Sequence, residues 1–135
     1  MMSDDPLDEL FKDGEALDRA LLAAIIKPNA VIHKDRNGFE IRLTPEGEKL
    51  SARQKILIYL LAKKVIALKD GTNQMSESAA PADIEKETGI AGGTLRPTLR
   101  RLLDENLVVQ DTNGSRYRVP NHAINRISHI ISSKG

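Results

Sequence analysis

The stretch ADIEKETGIAGGTLRPTLRRLLDENLVVQDTNGSRYRV, residues 82–119, decides how this chain is read. Pro81, just ahead of it, suits the first position of a helix, where the N–H it lacks has no partner in any case. A short helix is expected through Thr88, with Ile84 as its main core contact and Gly89 ending it as a left-handed cap. Ile90-Ala91-Gly92-Gly93 reads as a turn. A second helix is expected over residues 94–106, because Leu95, Leu99, Leu102 and Leu103 recur as one apolar stripe. Its other face carries Thr94, Arg96, Thr98, Arg100 and Arg101, then Asp104 and Glu105, and Pro97 falls within the expected first turn. Leu107-Val108-Val109 then starts a strand, Asn113-Gly114 turns it, and residues 115–119 return. In that return Tyr117 and Val119 point one way, and Arg116 and Arg118 the other.

Upstream, Ser51 and Gln54 stand at capping-box spacing and open a helix over residues 51–68. Ile56, Leu57, Ile58, Leu60, Leu61, Val65, Ile66 and Leu68 make it apolar on more than one face, so it must be covered from several sides, by its own chain or by a second copy. Residues 69–80 are polar, small and aperiodic, and read as a loop. Further upstream, Val31, Ile32 and His33 approach Asn37-Gly38, a favoured two-residue hairpin turn, and Phe39, Ile41 and Leu43 alternate with polar residues beyond it. Thr44-Pro45-Glu46-Gly47 reads as a further turn. Asp5-Pro6 starts an acidic amphipathic helix that Gly14 divides and Lys27-Pro28-Asn29 ends. Downstream, Ile124, Ile127, Ile130 and Ile131 mark an amphipathic C-terminal helix, open to packing on its own chain or to pairing with a copy.

A short helix, a tight turn, a longer basic helix and a hairpin with an arginine face resemble a winged helix-turn-helix domain of the kind found in prokaryotic and archaeal transcriptional regulators. The resemblance covers residues 51–119, with the Ser51 helix as the first of three. It implies a fit to duplex DNA, whose major groove admits a helix and displays a readable pattern of donors and acceptors. It also implies a recognition helix that uses Gly93, Thr94, Arg96, Thr98, Arg100 and Arg101. The amides near Gly93 would meet a phosphate. Asn113, Ser115, Arg116 and Arg118 would place the wing along the backbone or in the minor groove.

Composition narrows the alternatives. With 135 residues the chain has room for one core, and with no cysteine it offers neither disulfides nor thiol chemistry. Two Phe, two Tyr and no Trp are too few for a single-strand stacking platform. No apolar run is long enough to span a membrane and residues 1–6 are acidic, so a soluble cytoplasmic protein without a membrane partner is expected. His33, His122 and His129 are scattered, and no metal, cofactor or catalytic constellation stands out, so enzyme activity is not expected. The net charge of +1 divides unevenly, at −5 over residues 1–26 and +6 over residues 27–69.

The sequence therefore predicts a mainly α protein with small β-hairpins (α+β), in three parts. Residues 1–50 form an acidic helix and hairpin extension, residues 51–119 the winged helix-turn-helix domain, and residues 120–135 the C-terminal helix. The expected function is binding of double-stranded DNA as a homodimeric transcriptional regulator. A winged-helix adaptor for another protein, and a DNA replication or partition factor, are the competing expectations.

Overall fold

The computed structural model describes residues 19–36, 38–70, 76–111 and 114–132. Its centre is α3 (Ala52–Lys69), opened by the capping box that the sequence predicts: Gln54 N donates to Ser51 Oγ at 3.2 Å, and Ser51 N to Gln54 Oε1 at 3.0 Å. Ile56, Leu57, Ile58, Leu60, Leu61 and Ala62 have no exposed surface, so every side of the helix is covered. The cover comes from the same chain: α1 (Arg19–Ile26), α4 (Pro81–Thr88), α5 (Gly92–Asp104), α6 (Ile124–Ser132) and both hairpins pack against it. Over residues 56–62 the apolarity of α3 is thus satisfied without a second copy, while Leu68 in its last turn stays 39% exposed. The C-terminal helix also packs on its own chain, against α1 and α3, with Ile124 and Ile127 buried.

The first hairpin pairs β1 (Ala30–Asp35) with β2 (Gly38–Leu43), with Asp35 opposite Gly38. An Asn37-Gly38 turn would set Arg36 opposite Phe39; Gly38 instead opens β2, and Phe39 faces Lys34, so the register differs from the expected one. Gly38 has φ +127°, which only glycine adopts without strain. The turn expected at Thr44 is instead a single helical turn, α2 (Pro45–Glu48), because Thr44 caps it by accepting from Gly47 N at 3.0 Å. Of the acidic N-terminal helix, Arg19–Ile26 is observed, and the rest of that expectation lies outside the described residues.

The segment before α4 departs from the expected loop. Ala79 pairs with Tyr117 through two backbone hydrogen bonds, of 2.8 and 2.9 Å, and so adds a one-residue third strand to the second hairpin, β3 (Val109–Gln110) and β4 (Tyr117–Arg118). Buried Lys64 of α3 holds this segment from below, its Nζ bonded to the Glu77 carboxylate and, at 2.7 Å, to Asn121 Oδ1. At the far end of α3, Arg53 pairs with Glu105 at 3.0 Å, Arg126 donates to the Glu105 carbonyl at 2.8 Å, and Gln54 donates to the Ile130 carbonyl at 2.9 Å. The described chain is therefore an α+β arrangement of six helices and two small antiparallel sheets around one buried helix.

Candidate nucleic-acid interface

Helix α4 runs from Pro81 to Thr88 and ends at Gly89, in the left-handed region at φ +76°. The turn that follows is shorter than expected. Ala91 is already the N-cap of α5, and its carbonyl accepts from Thr94 N at 3.0 Å and Leu95 N at 2.9 Å, so Gly92 and Gly93 are helical. Pro97 therefore lies inside the helix and not in its first turn, and the Gly93 carbonyl has no proline N–H to accept. No side chain caps α5, which leaves the first-turn amides of Gly92 and Gly93 at an uncapped helix start.

Leu95, Leu99 and Leu102 anchor α5 in the core. Its outer face carries Gly93, Thr94, Arg96, Arg100 and Arg101, all exposed. None of these arginines joins an ion pair among the described residues. Thr98 is half-buried and donates its hydroxyl back to the Thr94 carbonyl at 2.7 Å, so the threonine free to reach outward is Thr94. Asn106, at φ +61°, then turns the chain from helix to hairpin. Asn106 N bonds to the Leu103 carbonyl and Leu107 N to the Leu102 carbonyl, each at 3.0 Å, in the Schellman pattern.

The hairpin distributes its arginines unequally. Arg116 is half-buried, and its guanidinium is taken up by Ser78, with Nε on the hydroxyl at 3.0 Å and Nη2 on the carbonyl at 2.8 Å. Ser78 Oγ in turn donates to Asp111 at 3.2 Å. Arg118 is half-buried and joins no ion pair among the described residues, Ser115 is exposed, and Asn113 lies outside the described residues. Between α5 and the hairpin opens a cleft of about 340 Å³, lined by Arg96, Arg100, Gln110 and Tyr117 among others. Gln110 and Tyr117 are cross-strand partners that sequence reading passed over, and Gln110 Nε2 donates to Tyr117 Oη at 3.1 Å. Alternation outward from Asn113-Gly114 was the signal that could have placed them opposite each other.

Behind the hairpin the charges differ. Burial, and then the Arg116 charge, hold the Lys63 ammonium below the ordinary lysine range, while Asp83 and Glu87 of α4 work against them. Burial, then Glu87 and Asp83, push the Tyr59 hydroxyl up. Compared with models of known protein families, with curated proteins and with solved structures, the chain matches none. Among the described residues no group of three or more His, Asp or Glu could hold a metal ion, and no helix is long and apolar enough to cross a membrane. What the arrangement offers chemically is a ridge of unneutralised guanidinium groups on a rigid helix, beside a polar cleft.

Proposed function

We propose that residues 51–119 form a winged helix-turn-helix domain that binds double-stranded DNA, and that the protein is a transcriptional regulator. One observation carries the reading: the exposed face of α5 presents Arg96, Arg100 and Arg101 without ion-pair partners among the described residues, directly beside a hairpin that carries Arg118. The order of elements supports it, since α3, the Ala79 bridge, α4, the Gly89 turn, α5 and the hairpin follow one another as in the domains the sequence resembles.

In this reading α5 lies in the major groove. Arg96 and Arg100 meet base edges or the phosphates beside them, and Arg101, Thr94 and the Gly93 amide meet the backbone. Arg118 carries the hairpin's contact with the duplex. Arg116, bound to Ser78, braces the hairpin and is not a phosphate ligand. Because residues 56–62 of α3 and Ile124 and Ile127 of α6 are buried within one chain, the homodimer rests on DNA geometry, in which two copies meet half-sites one helical turn apart.

Selection from random duplexes tests binding and half-site spacing together. An enriched motif repeated at a spacing of about 10–10.5 base pairs supports a dimeric regulator, and a single unrepeated motif a monomeric reader. Absence of duplex affinity at low salt overturns the reading in favour of a protein adaptor.

A further inference from the structure

A groove of about 330 Å³ opens between α1, β1 and the last turns of α3. Leu22, Ile26, Ile32, Val65 and Leu68 line it, and Arg19, Lys27 and Lys69 stand around them. Leu68 is 39% exposed, whereas the large apolar side chains on the other described helices are buried or half-buried. None of the three cations joins an ion pair among the described residues. An apolar floor with an unneutralised basic rim fits a segment that has an apolar stripe and acidic flanks.

The chain contains such a segment. Residues 4–18 carry seven acids against Lys12, with Leu7, Leu10 and Phe11 at i, i+3 and i+4 among them. The segment joins α1 at Arg19, which is itself part of the groove wall. The nine residues from Leu10 to Asp18 can span up to about 30 Å. Helix α1 is only about 12 Å long, so every part of the groove is within reach. We propose that this groove is the docking site of the chain's own residues 4–18, with Leu7, Leu10 and Phe11 on the apolar floor and the acids facing Arg19, Lys27 and Lys69. Seated there, the acidic segment is neutralised by the groove and does not compete for the arginines of α5.

The absence of cysteine makes the test direct, because two introduced cysteines report proximity without background. The full-length Leu10→Cys, Leu68→Cys chain is allowed to oxidise beside two controls, which pair Leu10→Cys with Thr94→Cys on α5 or with Asn125→Cys on α6. All three partner positions are exposed. A disulfide needs Cα atoms about 4.4–6.8 Å apart. The Leu68 pair should close within one chain roughly ten times faster than either control, because docking raises the local concentration of the segment. Adding Lys27→Glu and Lys69→Glu should slow that closure severalfold. Equal rates for the three pairs, preference for Thr94→Cys, a disulfide joining two chains, or a rate indifferent to charge reversal would each overturn the proposal.

Discussion

Replacing Arg100 by Gln should flatten the salt dependence of duplex binding, whereas replacing Arg116 by Gln should not. Four arginines of the interface (Arg96, Arg100, Arg101 and Arg118) join no ion pair among the described residues. If each displaces one condensed counterion, one protomer contributes a slope of about −3.6 to log affinity against log salt. Between about 50 and about 200 mM salt that slope costs roughly 150-fold in affinity, and losing one contact reduces the cost to roughly 40-fold. Arg116 is different because its two hydrogen bonds to Ser78 already occupy the guanidinium. Removing them should lower stability by about 1–3 kcal/mol and leave the slope unchanged. Anisotropy of a labelled duplex across the salt series, with thermal melts of each variant, reads both quantities. An unchanged slope for Arg100→Gln, or a flattened slope at unchanged melting temperature for Arg116→Gln, would refute the assignment.

Gly93→Ala should separate folding from binding. A Cβ there meets nothing within 4 Å, so helix α5 should gain about 0.5–1 kcal/mol, while a phosphate at the helix start would be held off and duplex affinity should fall. Equal or tighter binding would remove the phosphate from that position. Gly47→Ala should act in the opposite direction on stability. Its Cβ would lie 2.0 Å from the Asn29 carbonyl oxygen, and the backbone shift needed should cost roughly 1–3 kcal/mol in a denaturant melt. Lys64→Met leaves Glu77 and Asn121 without their shared donor and should destabilise by about 1–3 kcal/mol, read in the same way; a neutral result would mean that the apolar stem alone matters. Tyr59 concerns alkaline pH. Its folded-state pKa is raised above the unfolded value of about 10, so stability that is full below that value is lost as pH rises past it. Lys63, with a lowered pKa, pulls the other way at lower pH, in a window that ends at the unfolded lysine value of about 10.4. Tyr59→Phe should therefore make the alkaline loss shallower, and an identical pH profile would argue that the phenol ionises as freely folded as unfolded.

Local signals carried most of what could be read in advance. The Ser51–Gln54 box, the Gly89 cap and the leucine stripe of α5 each involve residues a few positions apart, and each appears in the structure. The misreadings came from long-range pairing, from competition between neighbouring starts and, at Thr44, from a local cap. Ala79 lies in no strand pattern of its own and joins the hairpin because Tyr117, far along the chain, offers both of its backbone groups. Helix α5 starts two residues early because Ala91 reaches two amides at once, which two glycines give no reason to expect. On the interface, Arg96, Arg100 and Arg101 follow from helical geometry alone. Arg116 and Arg118 look equivalent by alternation, yet Ser78 reaches only the first, and no spacing in the sequence announces a partner so distant.

The wrapping of α3 has a consequence for how this chain can be taken apart. Elements from before and after it in sequence both cover it, so no fragment that lacks either end contains the helix and all of its cover. Removing either end exposes a strip of fully buried isoleucine and leucine to water, at about 25 cal/mol for each Å² uncovered. The division at residue 50 that the sequence suggests is therefore a poor place to cut. The extension before α3 serves as one wall of the structure, and fragments made there should aggregate before they reveal anything about binding.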